Sequence, residues 1–440
     1  MTTVNPHKVA ALIQRLTPTE PLPTGEIKTG RLLHIGSTLL SAYLPGVSMG
    51  DVCSLLPDAS LAEVVGIDGD IALLSPFAST AGLYCGQQVQ LLGCRHQIPT
   101  GDALLGRVVD GLGRPMDNGP ALRGSWRDYD APPPDPLCRQ LINQPMLTGI
   151  RAIDSMLTCG EGQRIGIFAA AGVGKSTLMS MLCRSPDSDI NVLALIGERG
   201  REVRECIEQT LDEATRRRSV IVVATSDKPA LERMRALWVA TTIAESFRDR
   251  GKRVLLFADS LTRYARAARE IALASGETAV PGSYPPGVFA TLPRLLERAG
   301  KGRDGSITAF YTVLVEGDDM NEPLADEVRS LLDGHIVLSR RLAEAAHFPA
   351  IDVLASLSRL MPAVTTPEHR ALANALRGLM SVYREVELLV RVGEFTPGED
   401  PVADRAVERW PDICRFLQQQ SNEPCDTGTL LAQLRHLTES

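Results

Sequence analysis

The sequence reads as an α/β chain: a core with a mainly parallel sheet, a small β-barrel before it and a helical domain after it. Three observations carry that expectation. Between about residues 140 and 345, short apolar runs alternate with helical patterns, as in a parallel sheet flanked by helices. From about 25 to 95 the runs are closely spaced and broken by Gly, Pro and Asp, as in a small barrel. Beyond about 350 the pattern is helical and poor in strands. The 440 residues fit roughly three folding units at about 150 residues each.

Taken in order, residues 1–24 read as an amphipathic segment ending in the linker TPTEPLPTG. Val9, Leu12, Ile13 and Leu16 fall at helical spacing, with His7, Lys8 and Arg15 nearby. Such a stretch suits either a cap on the next domain or a docking helix for a partner helix or an anionic membrane surface. Residues 25–95 form the barrel. Residues 96–345 hold the sheet domain with its entry segment, where APPPDP at 131–136 must run extended. Strands are expected at 165–168, 192–196, 220–224, 254–258 and 307–313. All but the last are almost wholly apolar, as strands covered on both faces are. TLMSMLCR, REVRECIEQTLDEATRRR and PALERMRALWVATTIAESFRDR supply intervening helices, and residues 346–440 complete the chain as a helical domain.

Composition narrows the function. Hydrophobic residues make up 44% and charged residues 22%, ordinary for a soluble domain with real cores. The net charge of −7, from 46 basic and 53 acidic residues, disfavours a phosphate-backbone partner. Aromatics at 4% disfavour a base-stacking platform. No nucleic acid is expected, although Arg216-Arg217-Arg218 is a basic run, read as a helix end facing its dipole. The nine cysteines are scattered with no CxxC pair, so free, mostly buried thiols in a reducing cytosol are expected. No secretory leader or membrane-spanning run is found, which predicts a cytoplasmic protein with at most peripheral membrane contact.

The chemistry concentrates at three strand ends. The strand 165–168 runs into Ala169-Ala170-Ala171-Gly172-Val173-Gly174-Lys175-Ser176-Thr177 and then an apolar helix. This is the phosphate-binding loop pattern G-x-x-x-x-G-K-[ST] with Ala169 in place of the first glycine. Gly172 and Gly174 let the backbone curl, so that N–H groups from Ala171 through Val173 to Thr177 face a triphosphate. Lys175 adds a point charge, and the Ser176 hydroxyl suits Mg²⁺. The strand 254–258 delivers Asp259 at its end, a second group for Mg²⁺, held through water. The strand 192–196 ends in Gly197-Glu198-Arg199-Gly200-Arg201-Glu202-Val203. Ligands bind at such strand ends in parallel sheets, which makes Glu198 the candidate base for an attacking water and Arg199 a neutralising neighbour. The competing reading pairs Glu202 with Arg199 or Arg201 at a helix start.

These motifs together resemble a known family. GIRAIDSMLTCGEGQRIGIFAAAGVGKSTLMSML, GERGREV, DSLTRYARAARE, YPPGVF, LPRLLERAG and DEVRSLLDGHIVLSR are similar to the type III secretion ATPases. That family is related to the flagellar export ATPase and to the catalytic subunit of the F-type ATP synthase. Pro349-Ala350-Ile351-Asp352 through Ser356-Leu357-Ser358 resembles the signature of the synthase α/β subunits. The likeness spans about residues 25 to 425. PPPDPLCRQLINQP and EVELLVRVGEF look closer to virulence injectisome enzymes than to flagellar ones.

The resemblance implies a RecA-type P-loop NTPase core, a barrel used for oligomerisation, and ATP with Mg²⁺ at the site. It implies Lys175 and Ser176 as loop residues, Glu198 as catalytic glutamate and Asp259 as the Mg²⁺-associated aspartate. Arg359 matches an arginine that one subunit supplies to its neighbour, and Phe348 and Phe395 match aromatics flanking the adenine. It further implies a homohexamer at the inner membrane. The implied partners are a central stalk protein, a stator-like negative regulator, chaperone–effector complexes and the export gate. A flagellar export ATPase is the nearest alternative. A rotary synthase subunit or a Rho-like hexameric helicase is a more distant one. Glu198 marks a working enzyme, because non-catalytic synthase subunits lack that glutamate.

Overall fold

The computed structural model describes residues 28–170, 172–279, 283–315, 320 and 322–439. The amphipathic segment expected over 1–24 lies outside them. Strands β1 (Thr29–Ile35), β2 (Leu40–Tyr43), β3 (Asp51–Leu55), β4 (Ser60–Asp68), β5 (Ile71–Pro76) and β6 (Gln88–Arg95) close into a barrel of order β1-β2-β5-β4-β3-β6. β6 pairs back onto β1, so no strand edge is left open. Alternation sets which side chains fill it: in β2 Leu40 and Ala42 are buried, and in β5 Ala72 and Leu74 meet them with Leu32, Leu55 and Val89.

The central sheet contains β7 (Val108–Asp110), β8 (Arg164–Ala169), β9 (Ile190–Ile196), β10 (Ser219–Ala224), β11 (Arg253–Asp259), β12 (Ser306–Leu314), β13 (Gly334–Leu338) and β14 (Leu357–Ser358). Their order is β14-β13-β8-β12-β11-β9-β10-β7, and Gly300–Lys301 pairs with β12 off this path. From β13 to β7 every neighbouring pair is parallel; β14 is antiparallel. The five strands expected from sequence fall inside β8 to β12.

Their apolar residues face both ways because helices cover both sides. Ile165, Ile167, Leu193 and Leu195 join one core with Leu178 and Leu182 of helix α2 (Lys175–Cys183). Val192, Ala194 and Ile196 join the other with Leu237, Ile243 and Phe247 of helix α3 (Ala230–Arg248). The register also levels the strand ends: Ala169 pairs with Leu314, and Leu195 with Asp259. The three segments marked by sequence therefore leave the sheet at one edge.

A buried cluster fastens the barrel to this sheet domain. The Tyr129 hydroxyl donates to Glu63 Oε1 of β4 at 2.9 Å, and Arg235 of α3 pairs with the same carboxylate. The Arg235 guanidinium also lies 3.9 Å over the Tyr129 ring. Fully buried Arg298 donates to the Tyr129 carbonyl at 2.6 Å and pairs with Glu245.

The helical part begins at Pro367, later than the boundary at 346, because β14 still belongs to the sheet. It comprises α5 (Pro367–Val392), α6 (Pro401–Leu417) and α7 (Thr427–Glu439), after α4 (Leu261–Ala274) of the core. Thr366 caps α5 by accepting from His369 N, and Gly393 ends it in a left-handed conformation. All three helices touch α1 (Arg151–Met156), and His369 Nε2 lies 2.8 Å from Ser155 O. No helix among the described residues is long and apolar enough to cross a membrane.

Candidate active site

The chain leaves β8 through Gly172 at φ +81° and Gly174 at φ +91° before α2 begins at Lys175. Both values lie where a Cβ is strained, so the backbone itself demands glycine. Between them Val173, 2% exposed, pins the loop to the core, while Gly172, Ser176 and Thr177 are exposed. The first N–H groups of α2 have no helical partner, and its dipole is positive at this end. Ala171 lies outside the described residues.

Lys175 is the centre of the charge cluster. Its Nζ stands 2.5 Å from Asp259 Oδ1 and 3.6 Å from Glu198 Oε1. Asp259 also accepts from the Thr312 hydroxyl at 2.8 Å, and Arg263 Nη1 lies 2.6 Å from Glu198 Oε1. Two cations and two carboxylates balance in a site where Glu198 and Asp259 are both buried. The nearby Cys206 thiol registers that field: burial, then Asp259 and Glu198, push it up to about 12.

The donor set suits Mg²⁺. Hard oxygen ligands are available from the exposed Ser176 hydroxyl and the Asp259 carboxylate, and Mg²⁺ characteristically takes few protein ligands beside phosphates and water. No group of three or more His, Cys, Asp or Glu among the described residues forms an all-protein cage.

Next to the loop, a cleft of about 840 Å³ is lined by Arg151, Gly174, Thr177, Met181, Phe348 and Gln419, among others. The Phe348 ring would lie 3.4 Å from a Cβ on Gly174. Phe348 therefore stands against the Gly174 turn at one wall of that cleft.

Three anticipated residues lie elsewhere. Arg199 is 77% exposed and faces Glu202 at 3.7 Å, because the helix Gly200–Glu205 turns it outward. Phe395 follows the Gly393 cap of α5, its N–H donating to Leu389 O, and is not part of the cleft wall. Arg359 lies past β14 with its N–H on Asp333 O, at the start of β13, whereas the phosphate loop follows the ends of the parallel strands. β13 spans five residues, which separates Arg359 from its own loop by roughly 15 Å along the sheet.

Arg216-Arg217-Arg218 forms no basic patch. Arg217 pairs with Glu213, and Arg218 turns inward to the carbonyls of Cys183 and Ser185. All nine cysteines are free, with Cys85 and Cys138 exposed. Sequence reading missed Arg263 and Gln419. Arg263 lies inside a quoted motif, three residues after the α4 cap Ser260, so its position in the first turn was readable. Gln419 had no local signal.

The nucleotide-binding domain of the ATP synthase alpha/beta family matches residues 149–358, and the C-terminal domain of the type III secretion ATPase EscN matches 365–436. The SPI-2 type 3 secretion system ATPase of Salmonella typhimurium strain LT2 is 66% identical over 426 residues, covering 97% of this chain and 98% of the relative. The flagellum-specific ATP synthase of Bacillus subtilis strain 168 is 46% identical over 415 residues, covering 93% and 94%. The structure of the assembled ATPase EscN from enteropathogenic E. coli superposes with a TM-score of 0.90 at 52% identity, covering 93% of this chain and 100% of that one.

Proposed function

The chain belongs to the type III secretion system ATPases of the ATP synthase alpha/beta family, and from that premise we propose how its residues hydrolyse ATP and what the hydrolysis drives. Backbone N–H groups of 172–177 and the Lys175 ammonium bind the β- and γ-phosphates. Glu198 orients and polarises the water that attacks the γ-phosphorus, and Arg263 holds that carboxylate in place. Ser176 and Asp259 would hold Mg²⁺, which supplies charge neutralisation on the phosphates. Phe348 flanks the base.

Arg359 completes the site of a neighbouring subunit. The observation that supports this is its place at the strand starts, remote from its own phosphate loop. Such an arginine finger stabilises charge on the transferring phosphoryl group and is worth about 10³–10⁵ in rate. A shared site requires a ring, and the relative solved as an assembled ATPase is also known in complex with its central stalk EscO. We therefore assign a homohexamer at the cytoplasmic face of the inner membrane, seated on a stalk protein and restrained by a stator-like regulator. Its turnover releases export substrates from chaperones, unfolds them and feeds the export gate. The greater likeness to the injectisome relative than to the flagellar one favours virulence secretion.

The position of Glu198 beside Lys175 and Asp259 carries the hydrolase reading. The test is ATPase activity against oligomer mass for wild type, Glu198→Ala and Arg359→Ala. Activity should rise with assembly in the wild type and stay low in both variants. Turnover per subunit that is flat through monomeric concentrations would count against a shared site.

A further inference from the structure

Gln419 ties the helical domain to both walls of the cleft through a buried side chain and its own backbone. It lies in the connection between α6 and α7 and is 5% exposed. Its Oε1 accepts from Arg151 N at 2.8 Å, and its Nε2 donates to Gly149 O at 2.8 Å and to Glu423 O at 2.9 Å. Its backbone N–H donates to Phe348 O at 2.9 Å. One residue thus fixes the start of α1, the main chain of the aromatic beside Gly174 and its own connection. Arg184 Nη1 donating to Ser421 O and the Arg151–Glu423 pair hold the same connection against the core.

Both ends of the Gln419 amide are satisfied, and none of its partners belongs to the phosphate loop. Removing the side chain orphans the partly buried Arg151 N–H and Gly149 carbonyl and frees the connection from which Phe348 O takes its hydrogen bond. The Lys175–Asp259–Glu198 cluster keeps all its contacts. The two halves of the cleft are therefore held by different parts of the chain, the phosphate end by the sheet and the base end by the C-terminal helices.

We propose that Gln419 is a positioning residue for the base end of the nucleotide, making the placement of Phe348 depend on the seating of the C-terminal helices. This rests on the reading of the cleft as the ATP site. The helical domain then senses whether a base is bound rather than whether phosphate is bound.

The experiment compares ATP with inorganic tripolyphosphate, both with magnesium, by calorimetry and competition on the full-length protein, alongside KM and kcat. Gln419→Ala should raise KM for ATP about tenfold with a smaller change in kcat, while tripolyphosphate affinity stays at the wild-type value. Phe348→Ala should behave alike. The double variant should bind ATP no more weakly than Phe348→Ala alone, because the glutamine acts through the ring. Tripolyphosphate affinity falling in parallel with ATP, or additive losses in the double variant, would overturn the proposal and leave Gln419 a merely structural contact. Wild-type protein that fails to bind tripolyphosphate would instead overturn the assignment of the phosphate loop.

Discussion

The Lys175 ammonium stands 2.5 Å from Asp259 Oδ1, and its reach to Glu198 spans the carboxylates that end two adjacent strands, β11 and β9. Its charge is thereby shared between metal-site and base candidates. Glu198→Gln keeps the shape while removing the carboxylate, so ATP should bind nearly as in the wild type while kcat falls about 10²–10⁴-fold. Lys175→Ala should instead abolish binding. Equilibrium binding of a fluorescent ATP analogue beside steady-state hydrolysis separates the two, and unchanged turnover in Glu198→Gln would remove it from the mechanism.

Arg263 meets Glu198 from α4 and also donates to Gly197 O at 2.7 Å, fixing the carboxylate and its backbone together. Arg263→Ala should lower kcat at least about tenfold with a smaller effect on KM, since the ground-state phosphate contacts remain. Arg263→Lys restores the charge without the planar guanidinium whose Nη1 serves both Glu198 and the Gly197 carbonyl, so it should recover only part of the loss. Full recovery by lysine would show that net charge, not orientation, is what the site needs.

The remote position of Arg359 makes a complementation test decisive. Glu198→Ala and Arg359→Ala are each expected to be nearly inactive alone. Mixed in equal amounts and reassembled, they form some interfaces with an intact Glu198 on one side and an intact Arg359 on the other. Those interfaces should restore a measurable fraction of wild-type hydrolysis. No recovery, despite mixed rings shown by native mass spectrometry, would mean that both groups act within one subunit.

What the sequence made legible was whatever is encoded locally. The phosphate loop reads from Gly172, Gly174 and Lys175 because the turn needs positive φ and the helix needs a start. Glu198 and Asp259 read from apolar runs that end in an acid. Arg199 misled for the converse reason: it adjoins Glu198 in sequence, yet the helix from Gly200 rotates it to solvent. Phe395 was placed by likeness alone, and the long helix α5 carries it past the cleft wall. Gln419 was invisible because its partners, Gly149, Arg151 and Phe348, are far from it along the chain. Nothing in QQQSNE distinguishes one glutamine from its neighbours.

Glu232, at the start of α3, gives the fold a measurable pH dependence. It is 1% exposed, and its Oε1 has no hydrogen-bond partner among the described residues. The loop after β7 closes over it, so that a Cβ on Gly111 would stand 2.3 Å from Glu232 O. Burial, with a further contribution from Asp110, pushes its carboxyl from an ordinary 4.5 up to about 7, while Lys228 and Arg114 oppose the rise. Between those values the folded chain holds a proton that the unfolded chain has released. The associated stabilisation is complete below pH 4.5 and is lost as pH rises through 7. Glu232→Gln fixes the neutral form, so relative to wild type it should gain about 1–3 kcal/mol at pH 8 compared with pH 5. Urea unfolding of both proteins at the two pH values measures that difference directly. An identical offset at pH 5 and pH 8 would show that the buried carboxyl does not ionise across this range.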